Sequence, residues 1–137
     1  PGWMYQIKCG ATTTWERWDA LKPDGTVNEE KMAGSGDNMV SFNHYAFGSV
    51  GEFYYQYILG IKPQKPGFAE LHFEPYPNRR LGGVSGSYLS RAGKIESSWK
   101  YEEDGCHISL NTPVKSEVVL PDGKKETVEA GTYQWLC

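Results

Sequence analysis

Cysteine, methionine and histidine are scarce in this chain, with three of each among 137 residues. The cysteines (Cys9, Cys106 and Cys137) are widely spaced and form no Cys-x-x-Cys or Cys/His pattern, which argues against a metal site. A disulfide between one pair stays open, and isolated thiols are the favoured interpretation. No motif for a cofactor is evident, so we predict neither a bound metal nor a cofactor.

Long hydrophobic runs and an excess of basic residues are also lacking. No stretch of eighteen apolar residues occurs, which predicts that no segment spans a membrane. The net charge is -3 and there is no basic run, which argues against nucleic acid as a partner. The first residues, Pro1-Gly2-Trp3, contain neither an initiating methionine nor a signal-peptide pattern, so we expect a segment of a longer polypeptide and leave its compartment open.

Aromatic residues, by contrast, make up 14% of the chain, with nine tyrosines and five tryptophans. This composition indicates a folded protein that contacts carbohydrate or peptide rather than a disordered one. The sequence Gly34-Ser35-Gly36 resembles a phosphate-binding loop only superficially, because no Lys-Ser/Thr pair follows it. We interpret residues 34–38 as a flexible loop.

The first sixty residues have helical spacing at their two ends. Apolar residues in 3–7 predict a short helix that Gly10 closes, and 22–25 (Lys-Pro-Asp-Gly) predict a tight turn. Three threonines at 12–14 disfavour helix and predict an extended or irregular segment. Residues 45–59 then predict a second helix, which ends at Gly60.

The periodicity changes after residues 62–67, where two prolines and a glycine cannot continue a helix. Beyond them, apolar and polar residues alternate in short runs separated by turn residues. We predict strands at 70–74, 83–90, 94–101, 106–110, 117–120 and 132–136. Short strands at regular spacing predict an antiparallel β-sandwich.

The candidate functional motif lies between the two predicted helices. Trp15 and Trp18 flank Glu16 and Arg17, and Asp19 follows at once. A carboxylate between indoles is typical of a sugar pocket, since indole faces stack on sugar C–H groups while the acid handles protons or hydroxyls. The alternative is that both indoles belong to a core and that Glu16 pairs with Arg17 or with another cation.

His44 is a further candidate, beside Asn43 and Tyr45 at the start of the second predicted helix. Unpaired amides at a helix start often meet ligand hydroxyls together with nearby side chains. A single histidine at such a place is also often structural. Both interpretations of His44 stay open on the residues alone.

Two blocks, GATTTWERWDALKPDG at 10–25 and SFNHYAFGSVGEFYY at 41–55, resemble the end of the catalytic domain of bacterial α-L-rhamnosidases, glycoside hydrolase family 78. The resemblance implies an α+β chain: residues 1–61 would supply the last helices of an (α/α)₆ toroid, and residues 62–137 an antiparallel β-sandwich. It also implies an inverting enzyme that removes terminal α-L-rhamnose from glycosides, with Glu16 as general base. Trp15, Arg17, Trp18 and His44 would then contact the sugar.

The resemblance has consequences for partners as well. The general acid of such enzymes lies upstream, so we expect this chain to be inactive alone and to pack against the upstream catalytic domain. An incomplete toroid would leave the aromatic face of 45–59 exposed. We expect the β domain, the rest of the polypeptide or a second copy of the chain in a homo-oligomer to cover it. The alternatives are a non-catalytic carbohydrate-binding or accessory β-sandwich module, and a purely structural assembly domain.

Overall fold

The computed structural model describes residues 2–29 and 40–137, which fall into two compact units, 1–50 and 51–137. The predicted loop at 34–38 lies outside the described residues. No helix in the described ranges combines the length and the hydrophobicity that crossing a bilayer requires. The chain is α+β, with short helices followed by β-sheets.

In its described residues, the first unit begins with α1 (Trp3–Lys8), which irregular chain follows. The backbone of Gly10 has φ +82°, and its N–H donates to the carbonyl of Ile7 at 3.0 Å, so this glycine closes the helix as predicted. The predicted turn is also confirmed: Leu21 and Val27 form a bridge around it, and Gly25 has φ +83°. The threonine segment is irregular, as expected.

The second predicted helix is present, but it changes type along its length. A 3₁₀ turn (Ala46–Ser49) leads into α2 (Val50–Phe53) and then into a π-helical turn (Tyr54–Ile58). The N–H of Leu59 donates to the carbonyl of Tyr54 at 2.9 Å, and Gly60 then ends the segment with φ +74°. Its aromatic side chains are exposed, as expected of an incomplete toroid: Phe53, Tyr54 and Tyr57 are each 45–51% accessible.

Eight strands form two four-stranded sheets in the second unit. They are β1 (Ile61–Pro63), β2 (Leu71–Phe73), β3 (Gly83–Ser90), β4 (Gly93–Glu102), β5 (Gly105–Thr112), β6 (Ser116–Val119), β7 (Lys125–Val128) and β8 (Gly131–Leu136). The first sheet has the order β1-β2-β6-β7 and the second β3-β4-β5-β8. All neighbouring strands are antiparallel except β2 and β6, which run parallel.

Six of these strands lie where the alternation predicted them, and two were missed. β1 includes Lys62-Pro63, which we had assigned to a boundary, and β7 is a polar strand of four residues. Both are edge strands of the first sheet. Proline and charged residues are tolerated at edges because one side of the strand needs no ladder hydrogen bonds, so the pattern of such strands is weak.

The core of the second unit lies between inward-facing residues of both sheets. Phe73 and Val118 of the first sheet and Ile95, Trp99 and Ile108 of the second are fully buried in it. Burial alternates along β4, as expected for a strand with one face on a core.

Two polar side chains of β4 anchor the end of the helical segment to the second sheet. The indole N–H of Trp99 donates to the carbonyl of Ile58 at 2.7 Å. The hydroxyl of Ser97 donates to the carbonyl of Leu59 at 2.6 Å. These bonds satisfy two carbonyls at the helix end that have no helical partner.

All three cysteines are free thiols. Cys106 and Cys137 nevertheless lie directly opposite each other, because each backbone N–H donates to the carbonyl of the other at 2.8 and 3.0 Å. Burial raises the pKa of both thiols.

Candidate functional site

The two sequence blocks of the motif lie side by side in the first unit. The N–H of Glu16 donates to the carbonyl of Ser41 at 2.9 Å, and the N–H of His44 to the carbonyl of Thr14 at 2.8 Å. The hydroxyl of Thr14 returns a bond to the carbonyl of His44 at 2.5 Å. The fold therefore brings Glu16 and His44 onto neighbouring segments.

The Glu16 carboxylate is half-buried and held by backbone. Its Oε2 accepts the N–H of Ser41 at 2.8 Å, so Ser41 binds both the main chain and the side chain of this residue. Within residues 2–29 and 40–137, the other oxygen, Oε1, has no hydrogen-bond partner. Oε2 is thus held in place, while Oε1 can accept a proton or a hydrogen bond from a hydroxyl group.

Arg17 forms a fork with Asp19: Nε lies 2.7 Å from Oδ1, and the second guanidinium nitrogen 3.1 Å from Oδ2. The amide of Asn28 also donates to Oδ2 at 3.0 Å. These contacts, with the Arg17 hydrogen bonds foremost, lower the pKa of Asp19 below its usual range. Arg17 therefore pairs with Asp19, whereas the alternative from the residues alone pairs Glu16 with Arg17 or with another cation.

The two indoles of the motif have different surroundings. Trp15 is only 3% exposed, its ring meets Phe42 edge-on at 5.3 Å, and its backbone N–H donates to Oε1 of Gln6 at 3.3 Å. Trp18 is half-buried and stacks on Phe47 at 3.8 Å. In this structure Trp15 offers no open ring face to a ligand and acts as a packed support next to Glu16, while Trp18 belongs to an aromatic cluster nearer the surface.

That cluster also includes Trp3, whose ring meets Trp18 edge-on at 4.7 Å and whose indole N–H donates to the carbonyl of Phe47 at 3.2 Å. Sequence analysis had assigned Trp3 and Phe47 to helices without any role beside the motif. Ser41 and Gln6 were missed as partners of the motif for a similar reason. Their contacts join segments far apart in sequence, which no local pattern reveals.

His44 is half-buried beside the exposed Tyr45, and the two rings lie parallel at 5.5 Å. The backbone N–H of Ala46 donates to His44 Nδ1 at 3.3 Å. Because Nδ1 accepts this bond, the ring proton resides on Nε2. His44 therefore presents a hydrogen-bond donor of fixed tautomer.

Among the described residues, one group of side chains is close enough to share a metal ion: Glu102, Asp104 and His107, in the β4–β5 hairpin. His107 Nε2 already lies 2.7 Å from Asp104 Oδ1, and Lys100 lies 2.8 Å from Glu102. The hydrogen bond to Asp104 raises the pKa of His107, while the pKa of Asp104 is lowered. All three side chains are exposed, and ion pairing accounts for the cluster.

Comparison with known proteins places both halves of the chain in one family. Residues 1–58 match the bacterial α-L-rhamnosidase six-hairpin glycosidase domain, and residues 60–134 match the bacterial α-L-rhamnosidase C-terminal domain. An α-L-rhamnosidase of Alteromonas sp. is 38% identical over 123 residues, and one of Streptomyces avermitilis is 34% identical over 131. The matches cover 88% and 94% of this chain but only 13% and 12% of those relatives.

Solved structures agree with these matches. The α-L-rhamnosidase of Aspergillus terreus superposes with a TM-score of 0.85 at 34% identity, over 98% of this chain and 15% of that one. The Streptomyces avermitilis enzyme complexed with L-rhamnose superposes with a TM-score of 0.83 at 30% identity, over 98% of this chain and 14% of that one. The chain therefore belongs to the bacterial α-L-rhamnosidase family, of which it carries the C-terminal domain and a stretch of the six-hairpin glycosidase domain.

Proposed function

We propose that this chain is part of an α-L-rhamnosidase that removes terminal α-L-rhamnose from glycosides, and that Glu16 is its general base. The observation that carries the proposal is the Glu16 carboxylate, which the Ser41 amide holds by one oxygen while the other has no partner in the described part of the chain. The relatives named α-L-rhamnosidases support the reaction and the sugar. The full activity belongs to a longer polypeptide, because the chain spans about an eighth of those relatives.

The proposed reaction is hydrolysis with inversion. Glu16 Oε1 takes a proton from a water molecule as the water oxygen attacks the anomeric carbon, while an acid on the opposite face protonates the departing glycosidic oxygen. The hydrogen bond from the Ser41 N–H to Oε2 holds the carboxylate in one orientation during this step. The carboxylate therefore loses little orientational entropy when the transition state forms.

The general acid lies outside this chain in our proposal. Asp19 is the nearest carboxyl group in sequence, but its fork with Arg17 lowers its pKa. A general acid needs the opposite, a raised pKa that keeps the carboxyl group protonated near neutral pH. Asp19 therefore serves as an ionic partner for Arg17, and the chain by itself lacks one of the two required carboxyl groups and is inactive.

The substrate contacts follow from exposure and hydrogen bonding. Trp18 and Phe47 form a stacked aromatic wall, His44 Nε2–H donates to a sugar hydroxyl, and Arg17 with Asp19 holds the loop beside them. Trp15 contributes through Glu16, its neighbour, because its own ring is buried.

A domain boundary close to residues 61/62, supported by the start of β1 at Ile61, and the partner of the aromatic face are also proposals. Tyr54 and Tyr57 are about half exposed, and large aromatic surfaces of this kind are normally covered. We propose that the rest of the six-hairpin domain covers them in the intact enzyme, and that a second copy does so when this chain is isolated. Size-exclusion chromatography of the isolated chain should then show a dimer or larger species, and a clean monomer would argue against the second copy.

The test of the base is Glu16→Gln in the full-length enzyme that carries this chain. We expect kcat to fall by about 10²–10⁴-fold with KM little changed, since the amide still fits the Ser41 N–H but cannot accept the proton. Glu103→Gln, in an exposed turn, is the matched control and should retain full activity.

Two further outcomes separate the alternatives. Proton NMR of the first product should show β-L-rhamnose if the reaction inverts, and α-L-rhamnose would contradict inversion. An accessory module predicts near-normal turnover for Glu16→Gln. An assembly domain predicts that changes at Trp15, Glu16 or His44 affect neither sugar binding nor turnover.

A further inference from the structure

The outward face of the second sheet carries a row of polar side chains across all four strands. The register places Ser85 opposite Ser98, Ser98 opposite Ser109, and Ser109 opposite Gln134. Residues adjacent to them in the same strands, such as Trp99 and Ile108, point into the core. In the described part of the chain, none of these four side chains uses its hydroxyl or amide in a hydrogen bond, so we call them the open polar row.

The open polar row is the floor of a groove. A cavity of about 740 Å³ lies over it, and a second of about 480 Å³ adjoins the first on the same face. On the two central strands the serines of the row are short, whereas their neighbours on the same face are long, so the sheet is low there. These neighbours are Glu96 and Lys100 on β4 and His107 and Asn111 on β5. With strands about 4.8 Å apart, the row extends roughly 14 Å between the outer two strands.

Preordered polar side chains form both walls of the groove. On one side, Asn111 donates to Glu96 at 3.0 Å and Thr132 donates to Asn111 at 3.3 Å. On the other side, Lys100 and His107 are opposite each other in register. Side chains already held by such bonds lose little conformational entropy when a ligand binds.

The charges around the groove compensate one another. Lys94 pairs with Glu96 at 2.5 Å, and Lys100 pairs with Glu102 at 2.8 Å. His107 is likewise paired with an acid of its own hairpin. The floor itself is uncharged, so the surface has no field of one sign to attract an anionic polymer.

We propose that this face of the second sheet binds a neutral oligosaccharide laid across the strands. Hydroxyl and amide groups that both donate and accept match the hydroxyls of a sugar chain, and the row crosses all four strands of the sheet. An extended peptide fits less well, because peptides gain most of their affinity from backbone bonds at a free sheet edge, which a sheet face does not offer. The proposal is independent of Glu16 and goes beyond hydrolysis.

The test is a titration of the nitrogen-15-labelled chain, followed by NMR, with neutral tetrasaccharides of glucose, xylose and mannose. We expect shifts confined to the open polar row and its walls with at least one of them. The double change Ser98→Val and Ser109→Val should weaken binding at least tenfold while keeping the fold, since valine favours strands more than serine does. Gln134→Leu is a second, single variant, and Thr127→Val, which replaces a hydroxyl by a methyl group on the other sheet, is a control.

Three results would overturn the proposal. They are the absence of shifts with all three tetrasaccharides, unchanged affinity in the double variant, and tighter binding of tetragalacturonate or of a polar octapeptide than of any neutral sugar. A failure of Glu16→Gln to reduce turnover would contradict the proposed base but leave this surface unaffected, so the two proposals fail separately.

Discussion

Gly60, at the end of the helical segment, is the position where we expect a single methyl group to be most damaging. Its φ of +74° is one that residues other than glycine rarely adopt. A Cβ there would lie 2.3 Å from the backbone nitrogen of Pro75 and 2.5 Å from the carbonyl carbon of Glu74. Neither neighbour is the end of a flexible side chain, and Pro75 is fully buried, so the backbone itself would have to move.

The magnitude has two parts. An alanine in the left-handed region costs about 1–2 kcal/mol. Overpacking against buried backbone adds about 1–3 kcal/mol, and the N–H of Glu74 also donates to the carbonyl of Gly60 at 3.0 Å, a bond that the shift would disturb. We therefore expect Gly60→Ala to lower the free energy of unfolding by about 2–5 kcal/mol in total.

Gly123→Ala is the matched control. Gly123 has φ +87°, but an added Cβ would meet nothing within 4 Å, so this variant reports the conformational part alone. Urea unfolding followed by far-ultraviolet circular dichroism measures both variants against the wild type. If the free energies of the two variants agree within about 0.5 kcal/mol, the close approach of the chain at Gly60 is not rigid and the reasoning is wrong.

Two further predictions concern the second unit. Oxidation with glutathione disulfide should join Cys106 to Cys137, which lie opposite each other as a hydrogen-bonded pair, and should stabilise the unit by about 3–4 kcal/mol through a closed loop of about 30 residues. The hydrogen bond from Lys62 is the main cause that lowers the pKa of Glu74 from 4.5 to about 2. The ionised carboxylate therefore contributes at most about 3 kcal/mol to the free energy of unfolding. This contribution is fully present above pH 4.5 and is lost as the pH falls through 2. Lys62→Met should therefore destabilise the protein at pH 7, and its difference from wild type in urea unfolding should shrink as the pH falls through that window.

Each of these predictions has a control. Cys106→Ser should abolish the oxidative gain, and a crosslink through the exposed Cys9 instead would contradict the predicted pair. Lys65→Met removes a comparable but more exposed partner, that of Glu70, and should change stability at pH 7 by less than about 1 kcal/mol. A loss as large as that of Lys62→Met would mean that burial does not distinguish the two pairs.

Local sequence patterns predicted the regular elements well, because each depends on neighbouring residues. The alternation in 94–101 predicted β4, since a strand with one face on a core requires a period of two. The edge strands β1 and β7 were not predicted, because edge strands tolerate proline and charge. The parallel pairing of β2 with β6 was also beyond local pattern, as strands of three or four residues do not specify their partners.

In the candidate site, too, the sequence determined some features and the tertiary structure determined others. By itself, the sequence determined that two indoles, a guanidinium and two carboxylates occur within five residues, and that a turn and a glycine-ended helix flank them. Only the tertiary structure decided that Arg17 binds Asp19, that Ser41 holds Glu16, and that Trp15 is buried while Trp18 is not. The physical reason is that dihedral preferences and hydrophobic period act over a few residues, whereas Ser41 and Glu16 meet only when segments 14–16 and 41–44 pair, and that pairing depends on the closure of the whole unit.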